Sequence, residues 1–395
     1  MAVIEAVIVD VVRTASARGK AGGGLSAVHP VDLLAGVLER LVERNGLDKA
    51  SVDDVIGGCV SQIGEQSLNI TRNAVLAAGF PESVPATTID RQCGSSQQAV
   101  AFAAQSIMSG VNDIVFACGV ESMSAVPIGR APDGADPYGS KVADRFPDGL
   151  IGQGISAELI AARWDISRQR MDEFSADSHS RAAAAEARGD FARELVSVQT
   201  PAGVISRDET IRHSTTAEGL SVLPASFYNE KFAQRFPEIE WRVTAGNSSP
   251  LTDAASGALI MSAERAAALG LKPRARLHSF AVVGSDPLYM LTGVIPATQK
   301  VLRRAGLALG DIEAFEVNEA FATVPLMWLD ETGADPALVN AWGGAIALGH
   351  ALGASGTRLM GTLVNYLEST GGRYGLQTMC EGGGMANATI IERLG

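Results

Sequence analysis

The sequence predicts an α/β protein made of two similar halves, with a separate segment inserted into the first of them. Three observations support this fold class. Helical and strand-like segments alternate, two stretches of the first half reappear about 260 residues later, and a turn-rich middle region interrupts the pattern. With 395 residues, 46% of them hydrophobic, the chain is long enough for several structural units that share a large core.

The first half begins with a strand. The opening segment, MAVIEAVIVDVVRT, is apolar but interrupted by acidic residues, and no basic leader precedes it, so we expect a strand and not a signal peptide. A helix begins at Pro30, keeps one apolar face and ends at Asn45-Gly46. A strand over Val55 to Val60 follows.

The last third of the chain repeats this order. A helix begins at Pro296 and ends at Gly306, and a strand follows over Ile312 to Val317. NGLDKASVDDVIGGCV aligns with AGLALGDIEAFEVNEA, and MSGVNDIVFACGVESM aligns with TGGRYGLQTMCEGGGM. We infer two α/β halves of similar topology, and chance similarity between α/β units is the competing interpretation.

The middle region, about residues 120 to 245, differs from both halves. It contains few strand-like runs, a turn-rich loop (APDGADPYGSK) and a helix over 168–188, with Ser167 as N-cap and Gly189 as the stop. A loop-rich insertion on a rigid core commonly carries ligand contacts, and a purely decorative surface insertion is the alternative.

Composition excludes several classes of partner. The formal net charge of -12 argues against general binding to nucleic acid or to an anionic membrane, and no apolar run reaches the length of a membrane span. The four cysteines form no CxxC pair and the five histidines are scattered, so we expect neither a disulfide framework nor a metal site. A reducing, cytoplasmic setting fits this composition best.

Cys93 is the first candidate for chemistry. It lies in TTIDRQCGSSQQAVAFAAQSIM, which reads as strand, sharp turn and helix, with Ala99, Phe102, Ala103 and Ile107 predicted to form the buried helical face. At a helix N-terminus the dipole and free N–H groups favour a thiolate, so we expect a lowered pKa for Cys93 and a possible oxyanion site. A buried inert cysteine is the alternative.

Two further candidates are His350 and Asn318. His350 lies among Gly343, Gly344, Gly349, Gly353 and Gly356, which permit sharp turns and close backbone approach that a structural histidine seldom needs. It could serve as the base that activates a thiol. Asn318 follows a strand in FEVNEAFA, where its amide could orient a water or a carbonyl, although a turn-forming asparagine is equally compatible.

Cys380 ends a predicted strand, Leu376 to Met379, and precedes Glu381 and three glycines. A glycine run after a strand exposes backbone N–H groups that suit an oxyanion or a phosphate, but no Lys-Ser/Thr follows as in a P-loop. The repeat makes Cys118 the counterpart of Cys380. Cys118 lacks the triple glycine, so we interpret Cys118 and Cys59 as structural.

Taken together, five segments closely resemble one family, the thiolases (acyl-CoA:acetyl-CoA C-acyltransferases). They are QCGSSQQA around Cys93, VTAGNSSPLTDAASGAL at 243–259, NEAFA at 318–322, GGAIALGHALGASG at 343–356 and MCEGGGMANA at 379–388. The resemblance implies the thiolase fold, two repeated α/β halves with five-stranded mixed sheets in a layered αβαβα core, plus an inserted loop domain. The expected domains are 1–120 with 246–272 (first half), 121–245 (insertion, coenzyme A binding) and 273–395 (second half).

The resemblance also implies roles for individual residues. Cys93 matches the nucleophile that becomes acylated, His350 the base that activates it, and Cys380 the thiol that exchanges a proton with the α-carbon of acetyl-CoA. Asn318 matches the residue that positions a water in one oxyanion hole, shared with His350. The backbone N–H groups of Cys93 and Gly382 match the other hole.

For the substrate, Arg212 matches an arginine that packs on adenine, Ser249 a contact to the pantetheine arm, and Met290 and Phe321 residues that line the acyl end. Coenzyme A is then a co-substrate, no tightly bound cofactor is expected, and the protein is a homodimer or homotetramer.

Several positions depart from the family pattern. Gly152 and Gln153 stand where short-chain biosynthetic members usually have His-Met, which favours a different or roomier acyl pocket. Ala351 replaces a usual proline, Ser96 a commoner glycine, and Gln97-Gln98 resembles thiolases of lipid and steroid side-chain degradation. Glu381, if it points inward, raises the pKa of Cys380.

The leading hypothesis is a degradative 3-ketoacyl-CoA thiolase. The alternative within the family is an acetyl-CoA C-acetyltransferase that makes acetoacetyl-CoA by Claisen condensation, and Gly152-Gln153 argues mildly against it. A non-catalytic acyl-CoA-binding or lipid-carrier relative is disfavoured, because such proteins often lack one of the cysteines or the histidine. A ketoacyl synthase is disfavoured because Cys380 stands where that class generally has His or Asn.

Overall fold

The computed structural model describes residues 4–395. The strands are β1 (Ala6–Thr14), β2 (Ala17–Arg18), β3 (Asp54–Gly58), β4 (Ala86–Ile89), β5 (Ile114–Ser122), β6 (Leu195–Val196), β7 (Val198–Thr200), β8 (Gly203–Ile205), β9 (Thr252–Ser262), β10 (Ala275–Gly284), β11 (Ala314–Val317), β12 (Tyr374–Glu381) and β13 (Met385–Arg393). The helices are α1 (Pro30–Asn45), α2 (Ile70–Ala77), α3 (Ser95–Met108), α4 (Gly139–Arg145), α5 (Gln153–Arg163), α6 (Arg168–Arg188), α7 (Ala217–Ser221), α8 (Glu230–Arg235), α9 (Ala263–Ala268), α10 (Val294–Ala305), α11 (Thr323–Thr332), α12 (Ala345–Leu348) and α13 (Ser355–Thr370).

The predicted repeat appears in the sheet order. The first half runs β4-β3-β5-β9-β1 and the second half runs β11-β12-β13-β10. In the first half β3 pairs in parallel with β4 and β5, and in the second half β11 pairs in parallel with β12. The other pairs within each half are antiparallel, which gives the expected mixed sheets. The fifth strand of the second half is reduced to one bridge, in which Val339 pairs with Phe315. Two residue pairs between β1 and β10 join the halves into one continuous path.

The layers follow from which helices meet which strands. α3 and α13 contact each other, and each contacts strands of both halves, so they form a central layer between the two sheets. α1 and α2 cover the outer face of the first sheet, and α10 with α11 covers the second. This is the expected αβαβα order, in which helices cover the faces of both sheets.

Helix ends agree with the sequence where capping signals are strong. α1 begins at Pro30, and Gly46 closes it in the left-handed conformation with φ 56°. α6 spans the predicted residues, its N-cap Ser167 accepts from the Arg170 N–H at 3.1 Å, and Gly189 ends it with φ 79°. One prediction is wrong: Phe102 of α3 is 38% exposed, because it lies on the same helix face as Gln105 and Ser109, which are also exposed.

The segment between β5 and β9 carries α4 to α8 and the short strands β6 to β8. A buried ion cluster joins this segment to the first strand. Arg13 of β1 contacts Glu194 at 2.6 Å and Asp208 at 2.7 Å, and all three side chains are almost fully buried. Removing one partner of such a cluster leaves a buried charge uncompensated, so the contacts hold the segment in one place on the core. Across residues 4–395, no helix is long and apolar enough to cross a membrane.

Candidate active site

Cys93 lies in a sharp turn between β4 and α3. Gln92 takes a positive φ of 48°, the Gly94 N–H donates to the Arg91 carbonyl at 3.1 Å, and Gly94 is the N-cap of α3. A side chain at Gly94 would collide with the side chains of Glu381 and Asn387, which favours glycine there. This geometry puts the Cys93 thiol at the start of the helix, as the sequence predicts, and leaves it only 2% exposed.

His350 lies in a glycine-rich loop that packs against the same turn. Gly349 has φ 81°, and the backbone N–H of His350 donates to Thr252 Oγ1 at 3.0 Å. Leu352, two residues further on, packs in a small hydrophobic cluster that includes Cys93. The loop therefore brings the second half of the chain against the nucleophile candidate of the first half.

The hydrogen bonds of His350 fix its tautomer. Nδ1 lies 2.6 Å from Ser355 Oγ, and Ser355 Oγ donates its own proton to the Ala351 carbonyl at 2.8 Å. Nδ1 must therefore carry the proton and donate to Ser355. Nε2 is left as an acceptor, 3.4 Å from Asn318 Nδ2. Burial, with a contribution from Arg358, lowers the pKa of His350 to about 3, so the imidazole is neutral at neutral pH and its Nε2 keeps an unprotonated lone pair.

Cys380 lies near the end of β12, in the hairpin that joins it to β13. Its Cα pairs with Ala386, and the turn residues Gly383 and Gly384 have φ 82° and 80°, which favours glycine at both positions. Gly382 opens this turn, and its Cα is close to the side chains of Gln92 and Gln153. The hairpin therefore brings Gly382 to the side chains that flank Cys93.

The expected low pKa of Cys93 is wrong. Burial raises it to about 12, opposed by hydrogen bonds from Gln153 and from the backbone N–H of Cys93 itself, while Glu381 raises it further. Desolvation of the thiolate outweighs those donors, and the site holds Cys93 as a neutral thiol. Burial is also the largest cause that raises the pKa of Cys380, and the charge on Cys93 is the second. Glu381 raises the pKa of Cys380 as well, as expected, but by less.

Glu381 points inward. Its side chain is fully buried, neither carboxyl oxygen has a hydrogen-bond partner among residues 4–395, and its Oε1 faces Gly94. Burial raises the pKa of Glu381 to about 9, with Arg91 opposing and Asp90 adding to the shift. The side chain is thus a neutral acid at neutral pH, next to the nucleophile turn.

Asn318 follows β11 directly, at the position that the sequence analysis indicates. Its backbone N–H donates to the Thr378 carbonyl at 3.1 Å, its Nδ2 faces His350, and its buried Oδ1 has no partner within the described part of the chain. The next residue, Glu319, is structural. It accepts from Ser178, Asn340 and the Ile346 N–H, and so fixes the segment that leads to His350.

The predicted acyl-end and coenzyme A residues separate into two groups. Met290 and Phe321 are buried in one hydrophobic cluster with Cys380, and Ser249 donates through both N–H and Oγ to the Ala320 carbonyl. Arg212 is different, since its side chain is exposed on the inserted segment. Its backbone is held, because its N–H donates to His179 Nδ1 at 3.1 Å and its carbonyl accepts from the Thr215 N–H at 3.2 Å.

Cys59 and Cys118 are both buried in the hydrophobic core of the first half. Within residues 4–395 no group of three or more His, Cys, Asp or Glu side chains could hold a metal ion.

Three residues at the site were not singled out for a role from sequence: Gln153 beside Cys93, and Ser355 and Thr252 beside His350. Gln153 Nε2 lies 3.9 Å from Cys93 Sγ. Gln153 was noted only as a departure at the acyl pocket. No local pattern marks Ser355 or Thr252, because their partners are distant in the sequence or are reached across a turn.

Comparison with known proteins agrees with this geometry. The family description "Thiolase, N-terminal domain" matches residues 6–264, and "Thiolase, C-terminal domain" matches residues 271–393. Among solved structures, the acetyl-CoA acetyltransferase of Bacillus anthracis superposes with a TM-score of 0.88 at 35% identity, over 100% of both chains.

Curated relatives are similar over their whole length. The steroid 3-ketoacyl-CoA thiolase FadA6 of Mycobacterium tuberculosis is 48% identical over 99% of this chain and 94% of its own. A 3-ketoacyl-CoA thiolase of Yersinia pestis is 46% identical over 98% of this chain and 99% of its own. The chain belongs to the thiolase family.

Proposed function

We propose that this protein is an acyltransferase that cleaves 3-ketoacyl-CoA with coenzyme A, giving acetyl-CoA and a shortened acyl-CoA. Support comes from the relatives named 3-ketoacyl-CoA thiolase, one of which acts on steroid substrates. The observation that carries the mechanism is a pair of buried thiols, Cys93 and Cys380, close enough for one charge to affect the other, together with a neutral imidazole, His350, whose Nε2 carries no proton.

The first step is acylation of Cys93. His350 Nε2 takes the thiol proton as Cys93 Sγ bonds to the 3-keto carbon, and the carbonyl oxygen becomes an oxyanion. The bond between the keto carbon and the α-carbon then breaks, and the electron pair leaves on the acetyl-CoA enolate. Cys380 gives its proton to that carbon. Because the thiol of Cys93 is neutral before substrate binds, the proposed mechanism requires His350 to remove its proton.

The second step releases the shortened acyl group. The Cys380 thiolate takes the proton of coenzyme A, whose sulfur attacks the acyl group on Cys93, and the proton on His350 returns to the Cys93 sulfur as it leaves. A thioester intermediate conserves the energy of the substrate thioester, which explains why the nucleophile is a thiol. This is a ping-pong scheme with two kinds of oxyanion: the tetrahedral one on the Cys93-bound carbonyl, formed in both steps, and the acetyl-CoA enolate, formed in the first step.

Two oxyanion sites are therefore proposed. The N–H groups of Cys93 and Gly382 form one, supported by the glycine hairpin beside the Cys93 turn. A water held by Asn318, together with His350, forms the other, supported by the unpartnered Oδ1 of Asn318 and its 3.4 Å contact with His350. Preorganised donors of this kind stabilise charge that develops only in the transition state.

We propose that residues 121–245 form a coenzyme A-binding insertion, with 1–120 and 246–272 as the first half and 273–395 as the second. Arg212 packs on the adenine of coenzyme A, supported by its exposed guanidinium, and Ser249 contacts the pantetheine arm. Met290 and Phe321 line the acyl end, supported by their place in one buried cluster with Cys380. These few groups bind a polyanion on a chain of net charge -12, so local donors must suffice.

The alternative direction, condensation of two acetyl-CoA molecules to acetoacetyl-CoA, uses the same atoms in reverse, and the Bacillus anthracis relative carries an acetyltransferase name. Gly152 and Gln153 favour the degradative direction with larger acyl groups, because short-chain biosynthetic members usually have His-Met at these positions. Cleavage of acetoacetyl-CoA alone, across substrates from short chains to steroid thioesters, would overturn the larger-substrate proposal.

We also propose a homodimer or homotetramer in the cytoplasm, with coenzyme A as co-substrate and no tightly bound cofactor. β4 supports the oligomer, because it pairs only with β3 among the described strands and its residues are partly exposed at the end of the sheet. A reducing location suits an enzyme whose two proposed catalysts are thiols. Light scattering of the purified protein measures the oligomeric state, and a monomer would contradict it.

The repeat supplies a matched test of the role of Cys380. We expect Cys380→Ala to be acylated at Cys93 by a pre-formed acyl-CoA but to lose exchange of the acetyl α-protons with solvent, and with it carbon–carbon bond cleavage. Cys118→Ala changes the corresponding cysteine of the first half and should keep both reactions. NMR of acetyl-CoA in deuterated buffer measures the exchange, and normal exchange in Cys380→Ala would contradict the assignment.

A further inference from the structure

The side chain of Gln153 reaches the nucleophile from the inserted segment. Gln153 is the first residue of α5, directly after its N-cap Gly152. Its Nε2 lies 3.9 Å from Cys93 Sγ, and a methyl group on Gly382 would stand 3.1 Å from the same nitrogen. One carboxamide therefore touches both residues whose backbone N–H groups form a proposed oxyanion site.

The neighbouring glutamine cannot supply the same donor. The amide nitrogen of Gln92 donates to Asp90 Oδ1 at 3.2 Å, so its oxygen, an acceptor, is the atom turned towards Gly382. Gln153 instead presents its NH2 group, which has protons to donate. The two carboxamides thus face the start of the glycine turn with opposite polarity, and of these two only Gln153 offers a donor there.

The position of Gln153 is set by packing that does not depend on Cys93. α5 contacts α11 and the short 3-10 helix Met290–Gly293, and the residue after Gln153, Gly154, lies directly under the Phe227 ring. A side chain at Gly154 would collide with that ring, so the helix start is held close to the core. The donor is therefore preorganised before substrate arrives.

We propose that the Gln153 carboxamide is a third hydrogen-bond donor of the acyl-transfer site, serving first the Cys93 thiolate and then the oxyanion formed when Cys93 attacks the keto carbon. The role in stabilising the oxyanion rests on the proposed function, whereas the role in stabilising the Cys93 thiolate does not. No bond to Gln153 forms or breaks, and the thiol proton still passes to His350. Of the groups that act on the Cys93 thiol, Gln153 is the largest that favours its ionised form.

Gln153→Met removes the donor and keeps an unbranched side chain of similar length. In substrate-free enzyme we expect alkylation of Cys93 by iodoacetamide, located by mass spectrometry, to be about tenfold slower at any pH below the thiol pKa, with its pH midpoint moved upwards. In single-turnover experiments with a 3-ketoacyl-CoA, the rate of acylation should fall by a similar factor or more. In steady-state assays KM should stay nearly unchanged, because the donor acts on the charged state.

Gln169→Met is the matched control, because Gln169 also lies in the first turn of a helix, α6, and is exposed. It should match the wild type in both measurements. If Gln153→Met does not fold, as judged by circular dichroism, Gln153→Ala provides the same comparison.

The outcomes separate this inference from the proposed function. Equal alkylation midpoints and equal acylation rates in wild type and Gln153→Met overturn the inference. If the wild type is never acylated, the proposed thiolase chemistry fails, and the alkylation comparison still decides whether Gln153 donates to the thiolate. If the pH midpoint of alkylation shifts but the acylation rate does not change, Gln153 donates to the Cys93 thiolate and the proposed contact with the oxyanion is contradicted.

Discussion

The proposed role of His350 as a base depends on two consecutive hydrogen bonds. Its Nδ1 donates to Ser355, and Ser355 donates to the Ala351 carbonyl, so the second nitrogen is left free of a proton. A neutral imidazole with the opposite tautomer would point an N–H group at the substrate and could not take the thiol proton. The role that the sequence indicates for His350 therefore depends on Ser355, a residue that carries no sequence signal of its own.

Single residues also mark the limit of what could be predicted. The sequence located Cys93 at a helix N-terminus, and the structure agrees, but the inferred thiol pKa was wrong. A helix dipole is a local property that the sequence reveals, whereas desolvation depends on which distant segments cover the thiol. Gln153 shows the same limit, since its contact with Cys93 joins residues 60 apart in the chain.

Glu381 should make the stability of the protein depend on pH in an unusual direction. Its pKa is raised from 4.5 to about 9, so in that window the folded protein binds a proton that the unfolded chain has lost. This contribution to stability is fully present below pH 4.5 and is lost as the pH rises through about 9. Glu381→Gln keeps the shape of the neutral acid and removes the titration.

We therefore expect the unfolding temperature of Glu381→Gln, relative to wild type, to rise steadily between pH 5 and pH 9, as measured by calorimetry over that range. Glu82→Gln, at an exposed position, is the control and should show a constant difference. A constant difference for Glu381→Gln as well would mean that the buried carboxyl is ionised throughout.

At the scale of secondary-structure elements, the β12–β13 hairpin determines the position of both Cys380 and Gly382. Its turn needs positive φ at Gly383 and Gly384, and it is fixed from outside because the Ser285 N–H donates to the Gly384 carbonyl at 2.7 Å. The glycine run was visible in the sequence, where it predicted exposed N–H groups. Its partner, the segment around Ser285, was not predictable, because this contact joins two segments far apart in the chain.

The two turn glycines allow strain and crowding to be measured separately. Gly383→Ala adds only the strain of a positive φ, about 1–2 kcal/mol, because nothing lies near its Cα. Gly384→Ala adds the same strain, and its methyl group would also stand 2.8 Å from the Ser285 carbonyl oxygen. We expect a lower free energy of unfolding in urea for Gly384→Ala than for Gly383→Ala, with a larger loss of activity. Equal values would show that the outside contact does not define the turn.

At the scale of the whole molecule, a repeated fold produces one asymmetric site. The first half supplies Cys93 at the start of α3, and the second supplies Asn318, His350 and Cys380. The corresponding helix of the second half, α13, begins at Ser355 in the His350 loop. α3 and α13 lie together in the central layer, and their N-terminal segments meet. At this meeting point the first half contributes Cys93 and the second half contributes His350.

Much of this architecture could be predicted from sequence. The repeat, the insertion and the ends of α1 and α6 all follow from periodicity and capping, which are encoded in neighbouring residues. The reduction of the last strand to a bridge at Val339 could not be predicted, because strand length at a sheet edge depends on pairing with Phe315. The meeting of α3 and α13 likewise depends on how the two sheets pack.

The central claim is that Cys93 carries the shortened acyl group between the two steps. The most direct measurement is the intact mass of the protein after mixing with a 3-ketoacyl-CoA in the absence of coenzyme A. We predict a mass increase equal to the shortened acyl chain, located on Cys93 by peptide mapping, absent in Cys93→Ala and removed as acyl-CoA when coenzyme A is added. Formation of acetyl-CoA while Cys93 stays unmodified, or an acyl group on another residue, would contradict the account.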